Sequence, residues 1–141
     1  MAELEIRGYR ESDQDAVVEL WRLCGLIVPW NDPMKDIDRK LRTQRDMFLV
    51  GLLDSRLVGT VMAGYEGHRG WINYLAVAPD CRRSGLGRRL IEEAETRLRA
   101  LGCPKINLQV RRSNATVIEF YERVGYSVDD VVSMGRRLEV D

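Results

Sequence analysis

The segment Arg82-Arg83-Ser84-Gly85-Leu86-Gly87-Arg88-Arg89 holds the most specific chemistry in the chain. Four arginines and no acid fall within these eight residues. From Gly85 the pattern turns helical, with Leu86, Leu90, Ala94, Leu98 and Leu101 on one face. A helix start leaves backbone N–H groups without intrahelical partners and carries partial positive charge. Glycines at Gly85 and Gly87 leave room for an anion to approach those groups. Together these parts suit a pyrophosphate. Solvated arginines at an ordinary helix start would give the same pattern. A dinucleotide turn of the G-x-G-x-x-G kind fits less well, because Leu90 stands at the third glycine position. The acid expected about 20 residues on is missing too. No Gly-Lys-Ser/Thr follows, which excludes a P-loop. A coenzyme A pyrophosphate site is the third reading.

Such a turn needs a strand before it and a helix after it. Trp71 to Val77 is almost continuously apolar and reads as a buried strand that Pro79 ends. Upstream, Leu4, Ile6 and Tyr9 form a short strand-like stretch. Ser12 then caps a helix with Asp15 as its capping-box partner. Val17, Leu20, Trp21 and Cys24 face inward on it, and Gly25 stops it. The loop from Leu26 to Pro33 has two prolines and resists regular structure. A second helix is expected over 34–44, with Ile37 and Leu41 inward. Phe48 to Leu53 and Leu57 to Tyr65 read as a hairpin across Asp54, Ser55 and Arg56. The polar turn Glu66 to Gly70 leads into the Trp71 strand.

Downstream, Gly102 and Pro104 close the arginine-led helix, and Ile106, Leu108 and Val110 alternate as a strand. Asn114 caps a further helix bearing Val117, Ile118, Tyr121 and Val124, which Gly125 ends. Val128 to Leu138 is strand-like. The crossover from the Trp71 strand through the Gly85 helix to the Ile106 strand is expected to be right-handed. The order predicts one α/β domain over 1–141, a mixed sheet with helices on both faces.

Composition narrows the function. Hydrophobic residues make up 45% and charged residues 31% of 141, and the formal net charge is zero. No global field selects nucleic acid or an anionic membrane, so neither is expected as a partner. Cys24, Cys81 and Cys103 form no disulfide framework and have no zinc spacing, so no metal is expected. Free thiols and the absence of a leader-like or membrane-spanning run point to the cytoplasm. Cys81, Trp21 and Trp71 read as packing residues.

The Arg82 to Gly87 turn resembles the pyrophosphate signature of the GNAT superfamily of acetyl-CoA-dependent N-acetyltransferases. That signature has Gln or Arg, then a glycine three residues on, then Gly or Ala two further. Arg82, Gly85 and Gly87 meet it after the strand ending Leu75-Ala76-Val77. A second match, Asn114 followed by Phe120-Tyr121-Glu122-Arg123-Val124-Gly125-Tyr126, is similar to the family's asparagine and Phe-Tyr helix. The likeness covers about Phe48 to Tyr126. The combination of Pro29 to Pro33, Gly67 to Gly70 and Gly102 to Lys105 is similar to small bacterial YpeA-like members.

The resemblance implies a GNAT-like sheet, mostly antiparallel, with a central splayed parallel strand pair. It implies acetyl-CoA as co-substrate, with the pyrophosphate on the main chain of Arg83, Ser84, Gly85, Leu86, Gly87 and Arg88, and Arg82 opening the turn. Pantetheine would lie along Leu75, Ala76 and Val77, with Asn114 on its arm. Tyr121 would protonate the departing thiolate. An amine must be neutral to attack, so a base or a depressed amine pKa is required. Glu66 and His68 are candidates, with Asn73 acting through water. Trp30 and Asn31, in the loop between the first two helices, and Asn73 are expected at the acceptor. A small-molecule or protein amine would be the acceptor, and a homodimer is common in such proteins. A non-catalytic acyl-CoA-binding module would keep the turn and not need Tyr121. Tyr121 could also serve as a core aromatic alone.

Overall fold

The alternating strand Leu4–Gly8 (β1) and the nearly continuous apolar runs Phe48–Leu53 (β2) and Arg56–Tyr65 (β3) build an antiparallel meander. The structure, a computed structural model, describes residues 3–141. They fall into a first unit ending at Leu108 and a second, Gln109–Asp141. In the first, Gly70–Val77 (β4) adds antiparallel to β3, and Ile106–Leu108 (β5) adds parallel to β4. The sheet order is β1-β2-β3-β4-β5. The class matches expectation, but the parallel pair lies at the edge of the described sheet, not at its centre.

Helices cover both faces. On one, Val17, Leu20 and Trp21 of α1 (Gln14–Leu23) and Ile37 of α2 (Pro33–Leu41) pack with Phe48, Val50, Leu52 and Val58. Trp21 and Phe48 are wholly buried, and burying each such side chain contributes about 2 kcal/mol. On the other, Leu90 of α3 (Leu86–Ala100) sits over the glycines that alternate with these residues. A Cβ on Gly59 would lie 2.7 Å from Leu90 Cδ1, and one on Gly51 3.5 Å from Leu90 Cδ2. The two glycines thus let α3 approach the sheet. Leu86, Leu90, Ala94 and Leu98 are buried as the helical pattern predicts, whereas Leu101, just beyond the helix, is 50% exposed.

Three local expectations change. The first helix does not start on a Ser12–Asp15 box. Instead Asp13 accepts the Arg10 N–H at 2.8 Å and pairs bidentately with Arg7 at 2.8 and 3.0 Å. The Arg7 hydrogen bond holds the Asp13 carboxyl below the usual range, so this buried acid is the better anchor. The second helix ends at Leu41, short of Gln44, and β5 ends at Leu108, short of Val110.

In the second unit, α4 (Ala115–Arg123) starts where Asn114 accepts the Val117 N–H at 3.4 Å. It closes at Gly125, whose φ of 103° favours glycine, with the Tyr126 N–H on the Tyr121 carbonyl at 2.9 Å. Only Tyr121 of its expected inward residues is fully buried. The strand expected over Val128 to Leu138 does not form. Val128, Val131, Val132, Met134 and Leu138 are 77–90% exposed. Asp129-Asp130 and Gly135-Arg136-Arg137 break the two-residue alternation there, and no ladder pairs this segment among the described residues.

Candidate functional site

The turn between β4 and α3 is built by strain and by charge placed against local preference. After β4, Pro79–Cys81 makes a single 3-10 turn, tied back by Arg56 to Asp80 at 3.0 Å on both oxygens. The Cys81 N–H closes onto the Ala78 carbonyl at 2.8 Å. Arg83 then adopts φ 65° and Gly85 φ 84°. A left-handed arginine costs about 1–3 kcal/mol and is characteristic of ligand clamps. Arg89 is the first residue whose N–H closes a helical bond, onto the Gly85 carbonyl at 3.1 Å. The N–H groups before it emerge from the helix end. The first turn of α3 contains no acid. Helix starts normally favour acids, so arginines here oppose the dipole and suit an external anion. Arg82, Arg83, Ser84, Arg88 and Arg89 are exposed, while Leu86 is buried as the anchor.

β4 itself is distorted. Thr60 pairs with Ala76 but Met62 pairs with Asn73, so β4 holds one residue more than β3 across this stretch. This is a β-bulge, and Tyr74 takes φ 50° within it. The bulge changes which face the strand presents. Gly70 faces Leu98 of α3, yet Tyr74, in phase by a two-residue repeat, stacks on Trp21 of α1 with centroids 3.8 Å apart. A buried chain holds it there. Trp21 Nε1 donates to Thr60 Oγ1 at 2.9 Å, and Thr60 Oγ1 donates to the Tyr74 carbonyl at 2.8 Å.

The parallel ladder with β5 ends at Ile72↔Leu108, while β4 runs on to Val77. The Ala78 N–H bonds back to Val58 at 2.8 Å. By alternation the main-chain groups of Leu75 and Val77 turn to the opposite edge, past the end of the ladder. The Val77 carbonyl there accepts Arg82 Nε at 3.3 Å and the Cys24 thiol at 3.4 Å. Bulge, open strand edge and arginine-led turn are therefore continuous along one segment.

The acceptor candidates divide. Asn31 is brought to β4, with Nδ2 3.1 Å from the Tyr74 hydroxyl. Trp30 beside it in sequence is 55% exposed, and Asn73 is exposed. Glu66 and His68 lie elsewhere, in the β3–β4 turn at the far end of β4. Seven residues of strand separate Gly70 from Val77, roughly 23 Å at strand rise. Glu66 Oε1 accepts the His68 N–H at 2.5 Å and the Arg69 N–H. Those bonds hold its carboxyl below the usual range. Trp71 is half-buried and Cys81 partly so. In the second unit, Tyr121 is 8% exposed, and burial pushes its hydroxyl up to about 12. Its ring meets Phe120 and Tyr126 edge-on at 5.2 and 5.7 Å.

Two functional candidates are absent from the motif reading. Tyr74 donates its hydroxyl to Asp36 Oδ2 at 2.7 Å, and Asn31 bonds the same oxygen. The only trace of this in sequence is Asn73-Tyr74, a polar-aromatic interruption of an otherwise apolar strand. Asp36 gives no signal, because it reads as one more charge on an exposed helix face.

A family model described as acetyltransferase (GNAT) family matches residues 14–126. An acetyltransferase of Pectobacterium atrosepticum is 48% identical over 138 residues, covering 98% of both chains. Among solved structures, the aminoglycoside N-acetyltransferase AAC(6')-Iy in complex with CoA superposes with TM-score 0.78 at 16% identity. That match covers 98% of this chain and 97% of the other. Ard1 from Thermoplasma volcanium superposes with TM-score 0.76 at 20% identity, over 89% and 84% respectively.

Proposed function

This chain belongs to the acetyltransferase (GNAT) family, and on that premise we propose that it moves an acetyl group from acetyl-CoA to a primary amine by direct transfer in a ternary complex. The observation that carries the donor assignment is the Arg82–Gly87 turn, where a strained arginine and an acid-free helix start suit an anion. A structural neighbour described in complex with CoA supports the same choice. The exposed arginines would hold the diphosphate through charge-assisted hydrogen bonds. Leu75, at the open strand edge, would pair with a pantetheine amide.

The transfer needs three proton-sensitive events. The neutral amine nitrogen attacks the thioester carbon, and the carbonyl oxygen becomes an oxyanion that the Val77 N–H stabilises. The C–S bond then breaks, and the thiolate takes a proton from Tyr121. Tyr121 is protonated at neutral pH as any phenol is, and burial holds its hydroxyl further up, at about 12. Its assignment rests on its place in the family's Phe-Tyr motif. Asn114 is assigned to the coenzyme arm on the same basis, besides capping α4.

The amine's proton leaves through water near Asn73 in this reading. Glu66 and His68 sit far from Leu75 along β4, and Glu66 is already engaged by two backbone N–H groups. The expected result is that Glu66→Gln and His68→Ala each keep the wild-type acid limb of the kcat/KM profile. A shift of that limb by either variant would return the base to the β3–β4 turn.

A further inference from the structure

The carboxylate of Asp36 is organised in a way the transfer chemistry does not require. Oδ2 accepts the Tyr74 hydroxyl and the Asn31 amide, and Oδ1 accepts Arg39 Nη1 at 3.1 Å. A carboxylate has about four acceptor positions, and these three donors approach it from both oxygens. Its side chain keeps 22% of its exposure, and that of Arg39 keeps 40%. The Arg39 pair is a one-turn contact of a half-exposed kind that contributes little, so another cation can replace it without large loss. Tyr74 and Asn31 hold the opposite oxygen. An anion is thus fixed against the bulge of β4, three residues before Val77, or roughly 10 Å by strand rise. Trp30, next to Asn31 in the chain, leaves a large indole 55% exposed, a surface on which cations bind.

The reacting nitrogen must be neutral when it attacks. A fixed carboxylate against that nitrogen would hold it protonated and oppose the reaction. The anion therefore suits a second positive charge of the acceptor. We propose that Asp36, positioned by Tyr74 and Asn31, binds a non-reacting ammonium of the acceptor, so that the preferred substrates are amines carrying two or more positive charges. This rests on the amine-transfer reading above and names its substrate class.

The test is steady-state release of coenzyme thiol from acetyl-CoA, using straight-chain diamines from diaminopropane to diaminooctane and monoamines of equal length. Wild type is expected to favour its best diamine by about ten-fold or more in kcat/KM, the worth of one charge-assisted bond. In Asp36→Asn that ratio falls close to one, while the near-UV circular dichroism of the Trp21–Tyr74 stack shows the fold intact. Asp36→Glu keeps the preference and moves its optimum to a shorter diamine, because the carboxylate reaches further. A wild type without diamine preference would overturn the proposal. So would a preference that survives in folded Asp36→Asn, or an optimum that Asp36→Glu does not move. If no amine releases thiol, the transfer reading fails, and calorimetric titration with the same diamines still decides the role of Asp36. Binding by wild type and not by Asp36→Asn supports it, and equal binding or none overturns it.

Discussion

Gly87→Glu is expected to weaken acetyl-CoA binding by about 100-fold or more in a protein that is at least as stable as wild type. The two effects run in opposite directions for separate reasons. Gly87 is the second residue of α3, where glycine costs about 1 kcal/mol relative to a good helix former. An acid in the first turn also complements the helix dipole, and α3 has none. The substitution therefore favours the helix. Against a bound diphosphate it places a carboxylate among the emerging N–H groups. Like charges brought together cost several kcal/mol, which is a loss of about 100-fold or more in affinity. Calorimetric titration with acetyl-CoA, alongside a thermal melt, reads both quantities. Unchanged affinity in the variant would move the diphosphate away from this turn. A lost fold would mean that Gly87 is required for packing.

Tyr121→Phe is expected to lower kcat by about 100-fold or more, the usual contribution of a positioned general acid. The affinity for acetyl-CoA should stay near that of wild type. Removing the hydroxyl leaves the ring and its edge contacts with Phe120 and Tyr126 in place. The residue is buried, and like any phenol it is a neutral donor at neutral pH. Rapid-quench measurement of the chemical step, with coenzyme titration beside it, separates the two parameters. An equal fall in both would make Tyr121 a packing residue and leave the thiolate to be protonated by solvent.

The two large features of the candidate site differ in how they are written in the chain. The arginine-led turn from Arg82 to Gly87 is local. Its glycines, arginines and helical pattern lie within a few residues, so type and spacing reveal it. The α4 cap at Asn114 and its end at Gly125 are legible for the same reason. The β4 bulge is not local. Trp71 to Val77 looks like one regular strand, and only the pairing of Thr60 with Ala76 and Met62 with Asn73 exposes the extra residue. What holds it comes from three distant places in the chain, with Trp21 on α1, Thr60 on β3 and Asp36 on α2. Trp21 is recognisable as a core residue from its spacing, but its hydrogen bond to Thr60 cannot be read that way. Glu66 shows the converse. A carboxylate beside the only histidine suggests proton transfer, yet its neighbours in the turn donate their backbone N–H groups to it. Val128 to Leu138 has strand-forming side chains, but a strand is defined by its partner, and composition does not supply one.

The most direct test of the central claim is whether coenzyme thiol is released from acetyl-CoA only when an amine is present, with the products weighed by mass spectrometry. Diaminohexane, hexylamine, glucosamine and a lysine peptide would serve as acceptors. The account predicts thiol release that requires both protein and amine, an acetyl group on the amine, and no acetylated protein with acetyl-CoA alone. Acetyl-CoA that binds but yields no thiol with any amine would contradict transfer. An acetyl group on the protein itself, passed on when amine is added, would contradict the direct route.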